Sequence, residues 1–271
     1  MRIIRRLMCG LLTAGMAAAI MTPAAAHAAL TATTNAQTIT SALTATSAAG
    51  LVTSTSWTDI GAGAGPSGTS AAGVFSGFGP LGFPTDSGSF SVLSTGDATL
   101  INRPVSTQGG AGISNTKTAR GAYDPSVLRI DVNVPAGRNC LTLNLAFLSE
   151  EYPEYVGSGF NDAAIIELDQ NSWSVSGGTV TAPANFAFDD LGKPLTINSA
   201  NFGSGGAPTG TEYDGATVKL VAATPVTAGT HALYVSVFDV GDPVFDSADD
   251  RQPARADAAR RRMRVRRPDC G

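Results

Sequence analysis

The clearest pattern along the chain is the alternation in CLTLNLAFLSE, residues 140–150. Leu141, Leu143, Leu145 and Phe147 fall on one side, and Thr142, Asn144 and Ala146 fall on the other. Successive side chains of a strand point to opposite faces, so a period of two predicts a half-buried antiparallel strand. RGAYDPSVLRIDVNVP repeats the pattern through Leu128, Ile130, Val132 and Val134. GLVTSTSWTDI, SFSVLSTGDATLI, DAAIIELDQ, KPLTINSANF, ATVKLVAA and HALYVSVFDV continue the series, at spacings typical of a sandwich. NAQTITSALTA breaks the period: Ile39 and Leu43 stand four apart, which predicts a short amphipathic helix. Between Gly61 and Gly88, Gly, Ser and Pro dominate with scattered Phe, predicting long loops around one or two short strands. No helical period separates the strands, so a βαβ architecture is not expected. The expected fold class is all-β: an antiparallel β-sandwich, jelly-roll-like, with long Gly/Ser-rich loops and one short N-terminal helix.

The first residues change the picture by setting a compartment. Arg2, Arg5 and Arg6 precede an apolar stretch from Leu7 to Met21, and TPAAAHAA then offers small residues in an A-x-A arrangement. This reads as a secretory signal peptide over residues 1–28, cleaved after Ala28 and exported by the Sec route. No later stretch of about 20 apolar residues predicts a membrane span. The expected location is secreted or extracellular, with surface attachment open because no sorting signal is seen. Beyond the signal, Cys140 and Cys270 allow one disulfide and no disulfide scaffold.

Charge is unevenly placed. Eight of the 18 Lys and Arg residues lie between Arg251 and Arg267, so the body of the chain is acidic. An acidic exported body excludes nucleic acid as the expected partner, since phosphate binding needs a basic face. A cell-surface or matrix polymer, carbohydrate included, is the partner class expected instead.

Carboxylates concentrate at the ends of two strands. Glu150, Glu151 and Asp162 follow or flank one, and Asp239, Asp242 and Asp246 flank another. If both ends share a rim of the sandwich, the six are candidate Ca²⁺ ligands, because hard oxygen donors on Gly-rich turns are what Ca²⁺ takes. Two other readings stand beside this one. The acids can be loop caps and solvated charges, or two of them can act as acid and base in a secreted carbohydrate-active hydrolase. Adjacent Glu150 and Glu151 point to opposite faces of a strand and cannot form that pair alone. Tyr152 and Tyr155 are weak candidates for stacking on a ligand, as are Trp57 and Trp173, against the commoner fate of aromatics as core. The lone mature-chain histidine, His231, has no Cys or His companions for zinc, and no G-x-S-x-G elbow accompanies it.

SVLSTGDA, FLSEEYPEYVGSGFND, YDGATVKL and DVGDPVFDSA, in that order, resemble the choice-of-anchor L domain of exported bacterial proteins over roughly residues 37–248. The resemblance implies a secreted or surface-attached β-rich domain, with C-terminal anchoring signals that vary among relatives and no established catalytic activity. The function expected is a secreted or cell-surface binding or structural module, Ca²⁺-stabilised and not an enzyme.

The resemblance also exposes a break. The domain is expected over residues 29–248, and DDRQPARADAARRRMRVRRPDCG abandons strand alternation for Arg and Ala. Relatives run on from Asp-Ser-Ala into an apolar strand with an Asp-Asn-Leu-like ending. One codon choice for Asp250–Arg255, read one base later, encodes Ile-Asp-Asn-Leu-Arg. Residues 249–271 are therefore expected to be a disordered Arg-rich tail, produced by a frameshift or serving as a basic arm. Loss of the closing strand would leave its neighbours with an unpaired edge.

Overall fold

A computed structural model describes residues 29–58, 66, 68–77, 81, 83, 88–102, 114, 116–208 and 210–256. The proposed signal peptide and residues 257–271 lie outside this range. The strands are β1 (Ala29–Ala32), β2 (Val52–Trp57), β3 (Ala72–Ser76), β4 (Ser89–Ser94), β5 (Tyr123–Val134), β6 (Cys140–Ser149) and β7 (Ala163–Leu168). They continue with β8 (Ser174–Ser176), β9 (Thr179–Thr181), β10 (Leu195–Thr196), β11 (Gly215–Ala216), β12 (Leu220–Pro225), β13 (Gly229–Asp239) and β14 (Ser247–Ala256). The helix, α1, spans Ala36–Leu43, and short 3₁₀ turns cover Ala49–Leu51 and Ala98–Asn102.

Two antiparallel sheets form the sandwich. One runs β1-β3-β4-β14-β6-β11, with β12 also on β6; the other runs β10-β7-β13-β5-β2. β8 and β9 make a separate hairpin. The all-β expectation holds, and the chain folds into sheets because the alternating strands bury one face each against the other layer. Leu128, Ile130 and Val132 of β5 meet Leu141, Leu143, Leu145 and Phe147 of β6 in this core, with Ile166 of β7 and Leu233, Val235 and Val237 of β13. The helix predicted around Ile39 and Leu43 is present, and both residues enter the same core. Asn35 caps it by accepting the Thr38 N–H at 2.9 Å.

Four strands differ from expectation. KPLTINSANF contributes only the two residues of β10, and ATVKLVAA splits into β11 and β12. β6 is half-buried only near its start. At its far end Ala146 and Leu148 enter a second cluster with Phe75, Phe90, Val92, Tyr213 and Ala248. A third cluster, of Val127, Ala163, Ile165, Trp173, Phe238 and Val240, covers the outer face of the other sheet. Trp173 stacks on Phe238 with centroids 4.0 Å apart and donates its Nε1–H to Ser236 Oγ at 3.1 Å. It is core, so its sugar-stacking reading falls.

The fourth difference is β14. The closing strand continues to Ala256 and fills the middle of the larger sheet, although its sequence turns charged after Ala248. Asp249 pairs in register with Leu93 and Phe147, and Arg251 with Ser91 and Leu145; the ladder to β6 shifts register between Gln252 and Arg255. The backbone explains the placement: β4 and β6 each offer an open edge, and a strand of any composition satisfies those amides and carbonyls.

A buried carboxylate centre as candidate functional site

The ends of β4, β6, β13 and the start of β14 meet at one rim. There the two outer clusters wrap the strand ends, since Leu148 and Ala248 belong to one and Phe238, Val240 and Ala163 to the other. The acids next to those residues are buried with them. Glu150, Glu151, Asp162, Asp239 and Asp246 are each at most 3% exposed. They are not solvated charges, which corrects the blandest sequence reading. Asp242 alone keeps that character: it is partly exposed and its Oδ1 caps a turn by accepting Val244 N–H at 3.0 Å.

The two acidic loops do meet. Glu150 N donates to Asp246 O at 3.2 Å, and Asp246 N donates to Glu150 Oε2 at 2.9 Å. Asp162 Oδ1 accepts Val240 N–H at 2.8 Å, and its Oδ2 lies 2.7 Å from Ser247 Oγ. That hydroxyl is also 2.8 Å from Ser149 Oγ. A third wall comes from the STGDA turn after β4. Asp97 N donates to Asp246 Oδ2 at 3.0 Å, while Thr95 and Ser247 exchange backbone-centred bonds of 3.0 Å in both directions. Gly96 is required here: a Cβ at that position would stand 1.9 Å from Asp246 Oδ1.

Not every oxygen is satisfied. Glu151 Oε2, both oxygens of Asp239, Asp246 Oδ1 and the Tyr213 hydroxyl are buried with no partner in hydrogen-bond geometry. Such groups are rare in folded proteins and each calls for a cause. Burial without a cationic partner also holds these acids toward their protonated forms. Burial, then the Asp162 charge, pushes Glu151 up to about 10. Burial raises Asp162 to about 7 and Asp246 to about 6. Asp239 is raised well above the carboxylate range by burial and by Asp162. Tyr213 is raised by burial and by Asp246. Among the described residues no Lys, Arg or His forms an ion pair with Glu151, Asp162, Asp239 or Asp246. Nor do any three His, Cys, Asp or Glu side chains among them stand close enough to hold an ion as placed.

The two tyrosines differ. Tyr152 lies in a slot between Gly203 and Gly215, where a Cβ would come within 2.3 and 2.5 Å of it, and it packs on Phe202. Tyr155 is half-buried against Phe160 and Phe245. Trp57 donates its Nε1–H to Thr34 O at 2.7 Å. His231 pairs with Asp169 at 2.8 Å, at the opposite end of β13 from Asp239.

The four segments gathered around this rim are those that carried the family resemblance, and a family model of the Choice-of-anchor L domain matches residues 27–248. The chain belongs to the choice-of-anchor L family. Membership makes it a surface-associated module, of extracellular or cell-surface type. No curated protein matches the sequence. No helix among the described residues is long and apolar enough to cross a membrane.

Sequence reasoning named Glu150, Glu151, Asp162, Asp239 and Asp246, and all five reach the rim. It missed Thr95, Asp97, Ser149, Tyr213 and Ser247. The signal for Thr95 and Asp97 was present in STGDA, but a single aspartate after a strand does not stand out. Asp124, buried with φ 39° and accepting Ser114 N–H at 3.1 Å, had no signal of its own.

Proposed function

We propose that this choice-of-anchor L domain is an extracellular binding or structural module whose signature loops are fastened by a hard divalent cation, Ca²⁺ in the extracellular setting. The observation that supports this is the set of buried carboxylate oxygens without partners at the rim. A cation would satisfy them and let the acids ionise. Oxygen donors alone, with no His or Cys among them, select Ca²⁺ or Mg²⁺ over transition metals. Donors supplied by several turns suit the flexible coordination of Ca²⁺ better than the strict octahedron of Mg²⁺. The acids as placed do not form a ready ligand set, so loading involves movement of their side chains. The polymer that such a module engages is a cell-surface or matrix component, carbohydrate included.

Thermal melts of the mature full-length chain in Ca²⁺ and in chelator test the proposal. Extracellular modules bind Ca²⁺ with Kd of about 10⁻⁴–10⁻³ M, so about 10 mM Ca²⁺ adds about 1.4–2.7 kcal/mol. For a domain of this size that is a rise in Tm of about 3–10 °C. Identical melts would remove the cation. Hydrolysis of glycosides gains no support from the rim, because its two carboxylates must face a groove and five of the six candidates are sealed.

A further inference from the structure

Cys140 opens β6, at the end of the sandwich away from the acids, and is buried there. Its sulfur is disulfide-bonded. The chain has three cysteines in all, so the partner is Cys9 or Cys270. Cys9 lies in the proposed signal peptide and precedes β1, which stands four steps from β6 in the order β1-β3-β4-β14-β6. Neighbouring strands are about 4.8 Å apart, which puts β1 about 19 Å from β6, whereas a disulfide joins Cα atoms only about 4.4–6.8 Å apart. The other end of the chain is better placed. Strand β14 runs antiparallel beside β6 and finishes with Ala256 paired to Leu141, the residue next to Cys140. Pro225 of β12 pairs with Cys140 on its other flank. The chain thus leaves β14 on the side of Cys140 that β12 does not occupy.

We propose that Cys140 and Cys270 form a disulfide that fastens the Arg-rich C-terminal segment to the first residue of β6. Residues 257–269 separate the end of β14 from Cys270, and at up to about 3.3–3.6 Å each they are long enough to turn back to it. Formation needs an oxidant, and outside the cell a small or protein disulfide supplies it. The two protein thiols give up two electrons and two protons to that disulfide, which leaves as two thiols. The bond encloses every strand from β7 to β14. It therefore restricts the unfolded chain as well as the tail, and in the chain-entropy account long loops gain most from such a link. Arg260, Arg261, Arg262, Arg264, Arg266 and Arg267 then belong to a closed basic loop in place of a free arm. That loop starts at the end of β14 opposite Asp246.

The bond is independent of the cation, and its test reads neither Ca²⁺ nor the acids. The exported full-length protein, purified without reductant, is digested with trypsin and mapped by mass spectrometry before and after reduction. The expected result is one linked pair of peptides, carrying Cys140 and Cys270, that separates on reduction with a gain of two hydrogens. Denatured but unreduced protein is expected to show no titratable thiol. Cys270→Ser is expected to lower Tm by about 5 °C or more, to the value that reductant gives the parent, with no further fall when reductant is added to the variant. Free thiols in the unreduced protein, or a bond from Cys140 to Cys9 or to a second chain, would overturn the proposal. A parent whose melt ignores reductant would overturn the hold of the bond on the fold.

Discussion

Glu151→Gln puts a sign on the strain in the acidic centre. Glu151 is sealed at 2% exposure, with Oε2 unpartnered, and faces the backbone N–H of Asp162. Its carboxyl is pushed up to about 10, so without a cation it carries a proton at pH 7. Holding that proton against an unfolded value near 4.3 costs about 3–4 kcal/mol at pH 7. Glutamine has the same shape and no proton to take up, but it brings two amide hydrogens into a buried site. Leaving donors unsatisfied costs about 1–3 kcal/mol. The difference is a gain of up to about 3 kcal/mol in chelator, or up to about 12 °C in Tm. In Ca²⁺ the sign reverses, because an amide is a weaker ligand than a carboxylate and the variant forfeits the cation's stabilisation. Scanning calorimetry of both proteins in both buffers gives four Tm values whose order must cross. Glu151→Gln lowering Tm equally in chelator and Ca²⁺ would refute the reasoning and make Glu151 an ordinary structural acceptor.

In chelator, stability is expected to fall as pH rises. The folded values of Asp246, Asp162 and Glu151, about 6, 7 and 10, lie above their unfolded values. Their contribution is thus complete below about pH 4 and lost as pH climbs through those values; urea midpoints at pH 5 and 8 measure it, and saturating Ca²⁺ should flatten the slope. Gly96→Ala forces a Cβ into the Asp246 carboxylate and is expected to destabilise by about 1–3 kcal/mol, as overpacking does, with Ca²⁺ response lost in the same melts. Trp173→Ala removes a buried ring stacked on Phe238, beside Asp239, and is expected to cost about 3–5 kcal/mol, read as a fall in Tm in the same melts. Asp249→Val with Arg251→Val, at positions paired with Phe147 and Leu145 in a central strand, is expected to raise Tm, since β-branched residues have higher strand propensity than charged ones. Sequencing the gene's 3′ end in independent isolates checks the frameshift behind those charges; an intact, identical frame in all of them would refute it.

Periodicity made the sandwich legible because its inner faces obey a period of two without interruption, as Leu141 to Phe147 show. What it did not reveal was the second covering of each sheet. Ala146 and Leu148 read as the polar-side positions of a half-buried strand, and only the tertiary packing of Phe75, Phe90 and Tyr213 buries them. That omission led directly to the weakest expectation about the acids. A carboxylate on a Gly-rich turn is solvated by default, and burial of Asp162 and Asp239 depends on Phe238, Val240 and Ala163 being capped by a hairpin some distance along the chain. Pairing of the two loops was legible because both follow strands that alternate cleanly and end together. β14 was not legible, since the sequence after Ala248 carries no apolar alternation and its pairing with β4 and β6 is a matter of backbone ladders.

The same covering explains why an acidic rim matters to this fold. Exposed, the five acids would repel one another weakly through water and need no partner. Sealed, each must be neutralised by a proton or by a cation, and the choice decides how firmly the loops are joined. Protons satisfy acids one at a time and link nothing. A divalent ion is shared, and the residues that would share it lie in or directly beside β6, β7, β13 and β14, which belong to both sheets. An ion bound at this centre would couple the two layers and the closing strand at once. With the proposed Ca²⁺ bound, a surface module would gain a rigid end where the ion is plentiful and a loosened one where it is scarce.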